Sequence, residues 1–203
     1  MATDKLIITR RGFGLGLVGG AAAMVVPTAS LALTVEQARA LIDKAVADVN
    51  ASINSGKSQT AIYADFERIF SRYADVPVIA RSALGVAARS ASSAQMSAFT
   101  KAFQGYLARK YGRRFREFVG ATIQVTDARP IKTYFEVISV ARLKGKAPFD
   151  LRWHVSDKSG KNLFFNLIIE GVNMLSSERA EIGAMLDKRK GDINALIEDL
   201  KKV

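Results

Sequence analysis

The sequence predicts an α+β fold, with helices first, a sheet next and helices last. Apolar residues recur every three or four positions as far as Gly120, which is the period of an amphipathic helix. They then alternate at every second position over 121–170, as in half-buried strands, and helical spacing returns after Ser176. This order is typical of a twisted antiparallel sheet of about four strands that is covered on one face by helices.

Residues 1–32 have the pattern of a cleaved export signal. The uncharged run 12–26 follows three basic residues, Lys5, Arg10 and Arg11. Small residues then occupy the positions that a signal peptidase recognises. The uncharged run is shorter than the roughly 20 residues that a membrane-spanning helix needs. Residues 33–203 are therefore expected to form a single domain that resides in the periplasm.

Two export routes remain open for this leader. Residues 9–13 read TRRGF and resemble the twin-arginine motif, although Gly14-Leu15 replaces the Leu-Lys that often follows. Paired arginines also occur in the charged start of general secretory leaders. Because twin-arginine substrates cross the membrane folded, that route would let the chain fold in the cytoplasm. It predicts that export fails when Arg10 and Arg11 are both replaced by lysine.

The composition is basic and free of cysteine. The chain has 30 Lys and Arg against 19 Asp and Glu, a formal net charge of +11. An exported protein does not meet nucleic acid, so the charge indicates anionic lipid headgroups or acidic surfaces of partner proteins. A basic surface that only aids solubility is the alternative. Without disulfides, the fold must rest on packing alone.

Capping signals place the first three helices. Thr34 and Gln37 form a capping box, and an apolar stripe follows as far as Gly56. A second helix is predicted over about 60–73. Asp75 precedes a proline at the start of a short third helix, where proline is tolerated.

The longest predicted helix begins at Ser92 and ends at Val119. One of its faces is rich in aromatic residues, and the rest of its surface is basic. Cations near a helix C-terminus complement the backbone dipole, but a basic cluster beside an aromatic face also suits an anionic lipid. The candidates for headgroup or partner contacts are Arg109, Lys110, Arg113 and Arg114.

Alternation and turn residues predict an antiparallel meander. The predicted strands are 121–126, 132–143, 148–156 and 162–170. Glycine turns join the last three, which favours hairpin connections. In the third strand, apolar and polar residues alternate, so one side is covered and the other faces water. His154, the only histidine, lies on the polar side and is expected to be a surface residue.

The last strand is apolar on both faces, since residues 163–169 read LFFNLII. Such a strand needs cover on both sides, either as a central core strand or with one face lining a cavity for an apolar ligand. For the cavity side we prefer Phe165 and Ile169 over Phe164 and Ile168.

The sequence offers little catalytic chemistry. It has no cysteine nucleophile, no Gly-Xaa-Ser-Xaa-Gly elbow and no His-Glu-Xaa-Xaa-His metal motif. Glu170 lacks a second carboxylate of the kind that hydrolysis needs, and it is expected to accept hydrogen bonds at the strand end. Binding is therefore favoured over catalysis, with no metal and no cofactor expected.

Three segments carry a family resemblance: AQMSAFTKAFQGYLARKYGRRFREFVG, FDLRW and IIEGVNMLSSERAEIGAMLDKRKGDINALIEDL. Together they resemble the MlaC family of periplasmic phospholipid-binding proteins, also called the toluene-tolerance auxiliary family. The match extends from about Val35 to Leu200, and its most specific parts are Tyr106, Tyr111 and the EGVNM run. Three features depart from the family: Asn173 in place of serine, a denser basic run at 113–116, and the twin-arginine leader.

The resemblance implies a soluble, monomeric shuttle for glycerophospholipid. Its partners would be an outer-membrane complex of lipoprotein and porin and an inner-membrane ABC transporter with a membrane-anchored substrate-binding subunit. The acyl tails, as cargo, would lie in an apolar pocket between helices and sheet. The residues expected to line it are Phe99, Phe103, Tyr106, Phe118, Val137, Trp153, Phe165 and Ile169.

Other interpretations stay open. The cargo could be another apolar molecule, such as a hopanoid, a quinone or a solvent-like compound. A lipid hydrolase would use Glu170 or His154. An adaptor protein would bind no ligand.

Overall fold

The structure, a computed structural model, describes residues 32–113 and 118–202. Residues 1–31 of the predicted export signal and Arg114 lie outside the described residues. The described helices are α1 (Val35–Ile53), α2 (Gln59–Tyr73), α3 (Val76–Leu84), α4 (Ser93–Gly112), α5 (Met174–Lys188) and α6 (Ile193–Lys202). A 3-10 segment, Gly85–Arg89, follows α3.

The strands form one antiparallel sheet whose spatial order follows the chain. They are β1 (Thr122–Ile131), β2 (Tyr134–Arg142), β3 (Phe149–Ser156), β4 (Leu163–Ile169) and β5 (Val172–Asn173). The predicted α+β fold is confirmed. β5, which pairs beside β4, was not predicted, because it is too short for a two-residue period to be visible.

Local side-chain caps fix where the long helices begin. Thr34 Oγ1 accepts the amide of Gln37, and the Gln37 side chain accepts the amide of Thr34. Ser92 and Gln95 form the same capping box at the start of α4. The predicted starts of α1 and α4 are confirmed, because a capping box depends only on residues three positions apart.

α4 ends at Gly112, so the predicted end at Val119 is wrong. Glycine is a poor residue for a helix interior. At position 112 it is also required by packing, because a Cβ atom there would lie 2.3 Å from the ring carbon Cδ1 of Tyr63 in α2. The aromatic spacing in the sequence continues beyond Gly112, which is why the pattern predicted a longer helix.

The helices cover one face of the sheet. α1 packs against β1, β2 and β3, while α3 and α5 pack against β4. α4 packs against α2, α3 and α6. The core lies between the sheet and the helices, with Ile42, Phe103 and Val137 fully buried in it. Within the two described ranges, no helix combines the length and the apolar character needed to cross a membrane.

Candidate functional site

The inner face of α4 carries a stack of aromatic rings. The ring centroids of Phe99 and Phe103 lie 5.6 Å apart, and those of Phe103 and Tyr106 lie 6.1 Å apart. Spacings of three and four residues place these rings on one face of the helix. All three side chains are at most 1% exposed. This aromatic stack therefore belongs to the interior.

A second aromatic group lies on the side of the sheet that faces the helices. Trp153 meets Phe164 edge to face with ring centroids 5.2 Å apart, and Phe164 meets Phe70 of α2 at 6.0 Å. The Trp153 indole N–H donates to Ser139 Oγ at 2.9 Å, so the buried N–H is satisfied. Val137 pairs with Trp153 across β2 and β3.

A bulge in β4 decides which phenylalanine faces the helices. Val155 pairs with Phe164 and His154 with Asn166, so Phe165 is an extra residue on β4. Its ring lies beside His154, on the opposite face of the sheet. The expected inward placement of Phe165 is wrong, and Phe164 takes that place. Strict alternation could not reveal a bulge between two adjacent phenylalanines.

The other expected lining residues lie in the interior or at its margin. Ile169 is half-buried, packs against the core and lies on the same side of the sheet as Trp153. Phe118 is also half-buried against the core. The structure thus brings together Phe99, Phe103, Tyr106, Phe118, Val137, Trp153 and Ile169 around one core. Their contact with a lipid stays a prediction.

The sheet face away from the helices carries a row of polar residues. The row consists of Arg129, Glu136, His154 and Asn166, paired across β1 to β4. Arg129 Nε donates to Glu136 Oε1 at 2.9 Å, and Glu136 Oε2 lies 3.6 Å from His154 Nε2. His154 is only 9% exposed, because the rings of Tyr134 and Phe165 cover it. The expectation of a surface histidine is therefore wrong.

Burial sets the protonation of this histidine. It lowers the pKa of His154, because the charged imidazolium would lose its hydration, and this effect outweighs the attraction of Glu136. His154 is consequently neutral at neutral pH, and its Nδ1 lies 3.4 Å from the Asn166 amide nitrogen.

A polar cluster joins α4 to α5, and we call it the α4–α5 clasp. It consists of Tyr106, Lys110, Tyr111, Glu178 and Glu181. Lys110 Nζ donates to Glu178 Oε1 at 2.7 Å and to Glu181 Oε2 at 2.5 Å. The Tyr106 hydroxyl donates to Glu181 Oε1 at 2.5 Å, and the Tyr111 hydroxyl donates to Glu178. The Lys110 ammonium also lies 5.3 Å and 5.6 Å from the two tyrosine ring centroids, within cation–π range.

The contacts within the clasp shift the pKa values of its titratable groups. Burial and the hydrogen bonds to the glutamates raise the pKa values of Tyr106 and Tyr111. Burial opposes charge on Lys110 and on Glu181, but their hydrogen bonds together outweigh it. Those of Lys110 to Glu178, Glu181 and Tyr106 raise its pKa, and those of Glu181 with Lys110 and Tyr106 lower its pKa. Glu178 is 3% exposed, and its Oε2 atom has no hydrogen-bond partner among the described residues.

Two of the four predicted docking cations hold helices together. Arg109 donates to the backbone carbonyl of Leu200 in α6 at 2.6 Å. Lys110 is engaged in the clasp. Arg113 lies exposed at the end of α4, and Arg114 lies outside the described residues. A spacing pattern alone could not show these partners, because both come from helices far along the chain.

Glu170 is exposed in the turn between β4 and β5, with a positive φ of 50°. Its backbone N–H donates to the carbonyl of Asp150 at 3.2 Å. In the described part of the chain, no group of three His, Cys, Asp or Glu residues could hold a metal ion.

Two clefts open on the surface of the helical layer. One, of about 190 Å³, lies between α1 and α2, and among its lining residues Lys57 and Arg68 both donate to Asp65. The other, of about 420 Å³, lies between α3 and α4. Both ring groups described above belong to one buried core.

The fold and sequence of this chain match known proteins. The chain is similar to a phospholipid-binding protein from Ralstonia solanacearum, solved in complex with a phospholipid, with a TM-score of 0.70 and 20% sequence identity. The alignment covers 81% of this chain and 95% of that one. At this level of identity the likeness concerns the fold.

The sequence also matches the family model described as MlaC protein. The match covers residues 39–202, from the first helix to the last, and so includes the aromatic stack, the sheet and the clasp. The chain therefore belongs to the MlaC family.

Proposed function

We propose that this protein is a periplasmic carrier of glycerophospholipid, which encloses the acyl tails between its helices and its sheet. The observation that carries the proposal is the buried aromatic interior shared by α4 and β2 to β4, in a chain of the MlaC family. The likeness to a fold solved with a bound phospholipid supports it. Residues 1–32 would direct the chain to the periplasm, by the twin-arginine route.

The energetics of lipid transfer explain why the tails must be enclosed. Two acyl chains of about 16 carbons each, at roughly 0.8 kcal/mol per buried methylene, would cost on the order of 25 kcal/mol to expose to water. A carrier that left the tails exposed would therefore release its cargo to the nearest membrane or aggregate. The interior between helices and sheet is the part of this fold that can exclude water.

Admission of two tails requires the helices to separate from the sheet. Pockets that enclose even drug-sized ligands have volumes of about 300–1,000 Å³. The core that joins the helices to the sheet is already occupied by buried side chains, among them Phe103 of α4 and Trp153 and Phe164 of the sheet. These side chains must move apart, and the free energy of that opening adds to the barrier for loading.

We infer that docking partners control loading and unloading. The partners proposed from the family are the inner-membrane ABC transporter complex, with its membrane-anchored subunit, and the outer-membrane lipoprotein and porin complex. Without them, purified lipid-free protein should extract fluorescent phospholipid from liposomes slowly, because the tails would cross water. Rapid extraction from pure liposomes, measured by fluorescence dequenching, would contradict this control.

Native mass spectrometry of the intact complex, together with organic extraction of a separate sample of the purified protein, tests the carrier proposal. We expect stoichiometric glycerophospholipid with the mass series of two-chain lipids. A stoichiometric hopanoid or quinone would assign another cargo, and an extract without stoichiometric lipid would indicate an adaptor. As a carrier the protein should not turn phospholipid over, so a turnover that Glu170→Gln abolishes would indicate a hydrolase instead.

A further inference from the structure

The surface groove between α3 and α4 is lined by both apolar and cationic side chains. We call it the α3–α4 groove. Its residues are Pro77, Arg81, Met96, Ser97, Thr100, Lys101 and Gln104. Its volume is about 420 Å³. It lies on the outer side of α4, whereas the aromatic stack lies on the inner side. None of its residues belongs to the clasp, and Met96 also packs against the core.

The groove lies in the most cationic part of the chain. Between Asp75 and Glu117 the sequence contains no acidic residue. The basic residues of this stretch are Arg81, Arg89, Lys101, Arg109, Lys110, Arg113, Arg114 and Arg116. A surface with one sign of charge attracts partners of the opposite sign and speeds their association.

The two cations that line the groove are available to a partner. Arg81 and Lys101 are exposed, and the ion pairs of the described residues include neither of them. This distinguishes them from Arg109 and Lys110, whose charges are used within the helical layer. Arg81 stands on α3 and Lys101 on α4, so they face the groove from opposite walls.

The walls also offer apolar and hydrogen-bonding contacts. Met96 and Pro77 supply apolar surface, and methionine adapts its shape to varied partners. Gln104 offers an amide that can bond to a peptide backbone.

We propose that the α3–α4 groove binds a segment of a partner protein in which carboxylate side chains flank an apolar one. The apolar side chain would contact Met96 and Pro77, and the carboxylates would pair with Arg81 and Lys101. A concave groove accepts an inserted side chain, whereas an anionic membrane surface is met by protruding apolar residues; the groove therefore favours a peptide over a membrane. The proposal extends the carrier function, because it specifies the chemical groups that one docking partner would present. Binding of the partner at the groove does not require bound lipid.

The test uses a defined acidic peptide and two matched charge reversals. The probe is a fluorescein-labelled peptide that repeats Leu-Glu-Ala-Glu, with Gln in place of Glu in the control peptide. Binding is measured by fluorescence anisotropy to the wild-type protein, to Arg81→Glu/Lys101→Glu, and to Lys158→Glu/Lys161→Glu. The second pair lies exposed in the turn between β3 and β4 and changes the net charge by the same amount.

We expect the groove reversal to weaken binding of the acidic peptide by about tenfold or more, and the turn reversal to weaken it much less. If both reversals weakened binding equally, the effect would come from net charge alone and the proposal would be overturned. Tighter binding of the control peptide than of the acidic peptide would also overturn it. Cosedimentation with vesicles of phosphatidylcholine and phosphatidylglycerol that depends on Arg81 and Lys101, with peptide binding unaffected, would assign the groove to a membrane and overturn it too.

Lipid content and stability are measured on the same variants. The groove reversal should retain the wild-type phospholipid content and thermal unfolding, which separates docking from cargo binding. Loss of lipid or of stability in this variant would show that Arg81 and Lys101 support the folded structure rather than a docking surface. If the wild-type protein carried no phospholipid but bound the peptide at Arg81 and Lys101, the carrier proposal would fail while this one stood.

Discussion

At the scale of single residues, the interior of this protein contains buried polar groups as well as apolar ones. Glu178 is buried between α4 and α5, where it accepts hydrogen bonds from Lys110 and Tyr111. A buried carboxylate is tolerated only where donors replace its hydration. The identity of residues 110 and 111 is therefore tied to that of residue 178, although they are far apart in sequence.

Removal of the Tyr111 hydroxyl should destabilise the protein. Tyr111→Phe takes away a donor to a charged, buried acceptor, and we expect the free energy of unfolding to fall by about 1.5–3 kcal/mol. Tyr63→Phe is the matched control, because no hydrogen bond of the Tyr63 hydroxyl is found among the described residues. Urea denaturation measures both. Equal effects of the two substitutions would show that the clasp adds nothing to stability.

The buried His154 should make stability depend on pH. Its pKa in the folded protein lies below the ordinary value, so the unfolded chain binds the proton more tightly. The contribution is fully present above about pH 6.5 and is lost as the pH falls below that value. His154→Gln should remove this part of the dependence, which urea denaturation between about pH 7.5 and 5.5 measures. An unchanged pH profile in the variant would exclude His154 as its source.

At the scale of elements, contacts between helices decide features that local patterns leave open. The capping boxes of α1 and α4 were predictable, since each involves two residues three positions apart. The end of α4 at Gly112 was not, because the aromatic spacing in the sequence continues beyond that residue. The predicted inward placement of Phe165 was also wrong, because a bulge depends on how β3 and β4 pair.

The approach of α2 to α4 gives a test with an internal control. Gly112→Ala would place a Cβ atom 2.3 Å from the Tyr63 ring, so we expect a loss of about 1–3 kcal/mol in the free energy of unfolding. Gly183→Ala in α5 meets no atom within 4 Å and should instead stabilise the protein by about 0.4–1 kcal/mol. Thermal unfolding compares them. A tolerated Gly112→Ala would show that α2 and α4 can move apart at little cost.

At the scale of the whole molecule, the helices and the sheet form the two walls that the proposed cargo must separate. The chain has one tryptophan, Trp153, and it lies on the sheet wall, 7% exposed. Its fluorescence therefore reports on the interior without any label.

Phospholipid with brominated acyl chains should quench Trp153 when loaded into the protein, because heavy atoms quench an indole at close range. Phospholipid with unmodified chains is the control, and loading is verified by mass spectrometry. Stoichiometric loading of the brominated lipid without quenching would place the tails away from β3. It would then contradict the predicted lining by Val137 and Trp153.

The order of helices and strands, the starts of the long helices and the aromatic face of α4 could all be predicted from the sequence. These features follow from periods and caps that span a few residues, so local physics is enough to produce them. Three features became visible only in the folded chain: Phe164 rather than Phe165 faces the helices, His154 is buried, and Arg109 and Lys110 are engaged within the helical layer. Each of these depends on a neighbour distant in sequence, whose position is set by the packing of helices on the sheet.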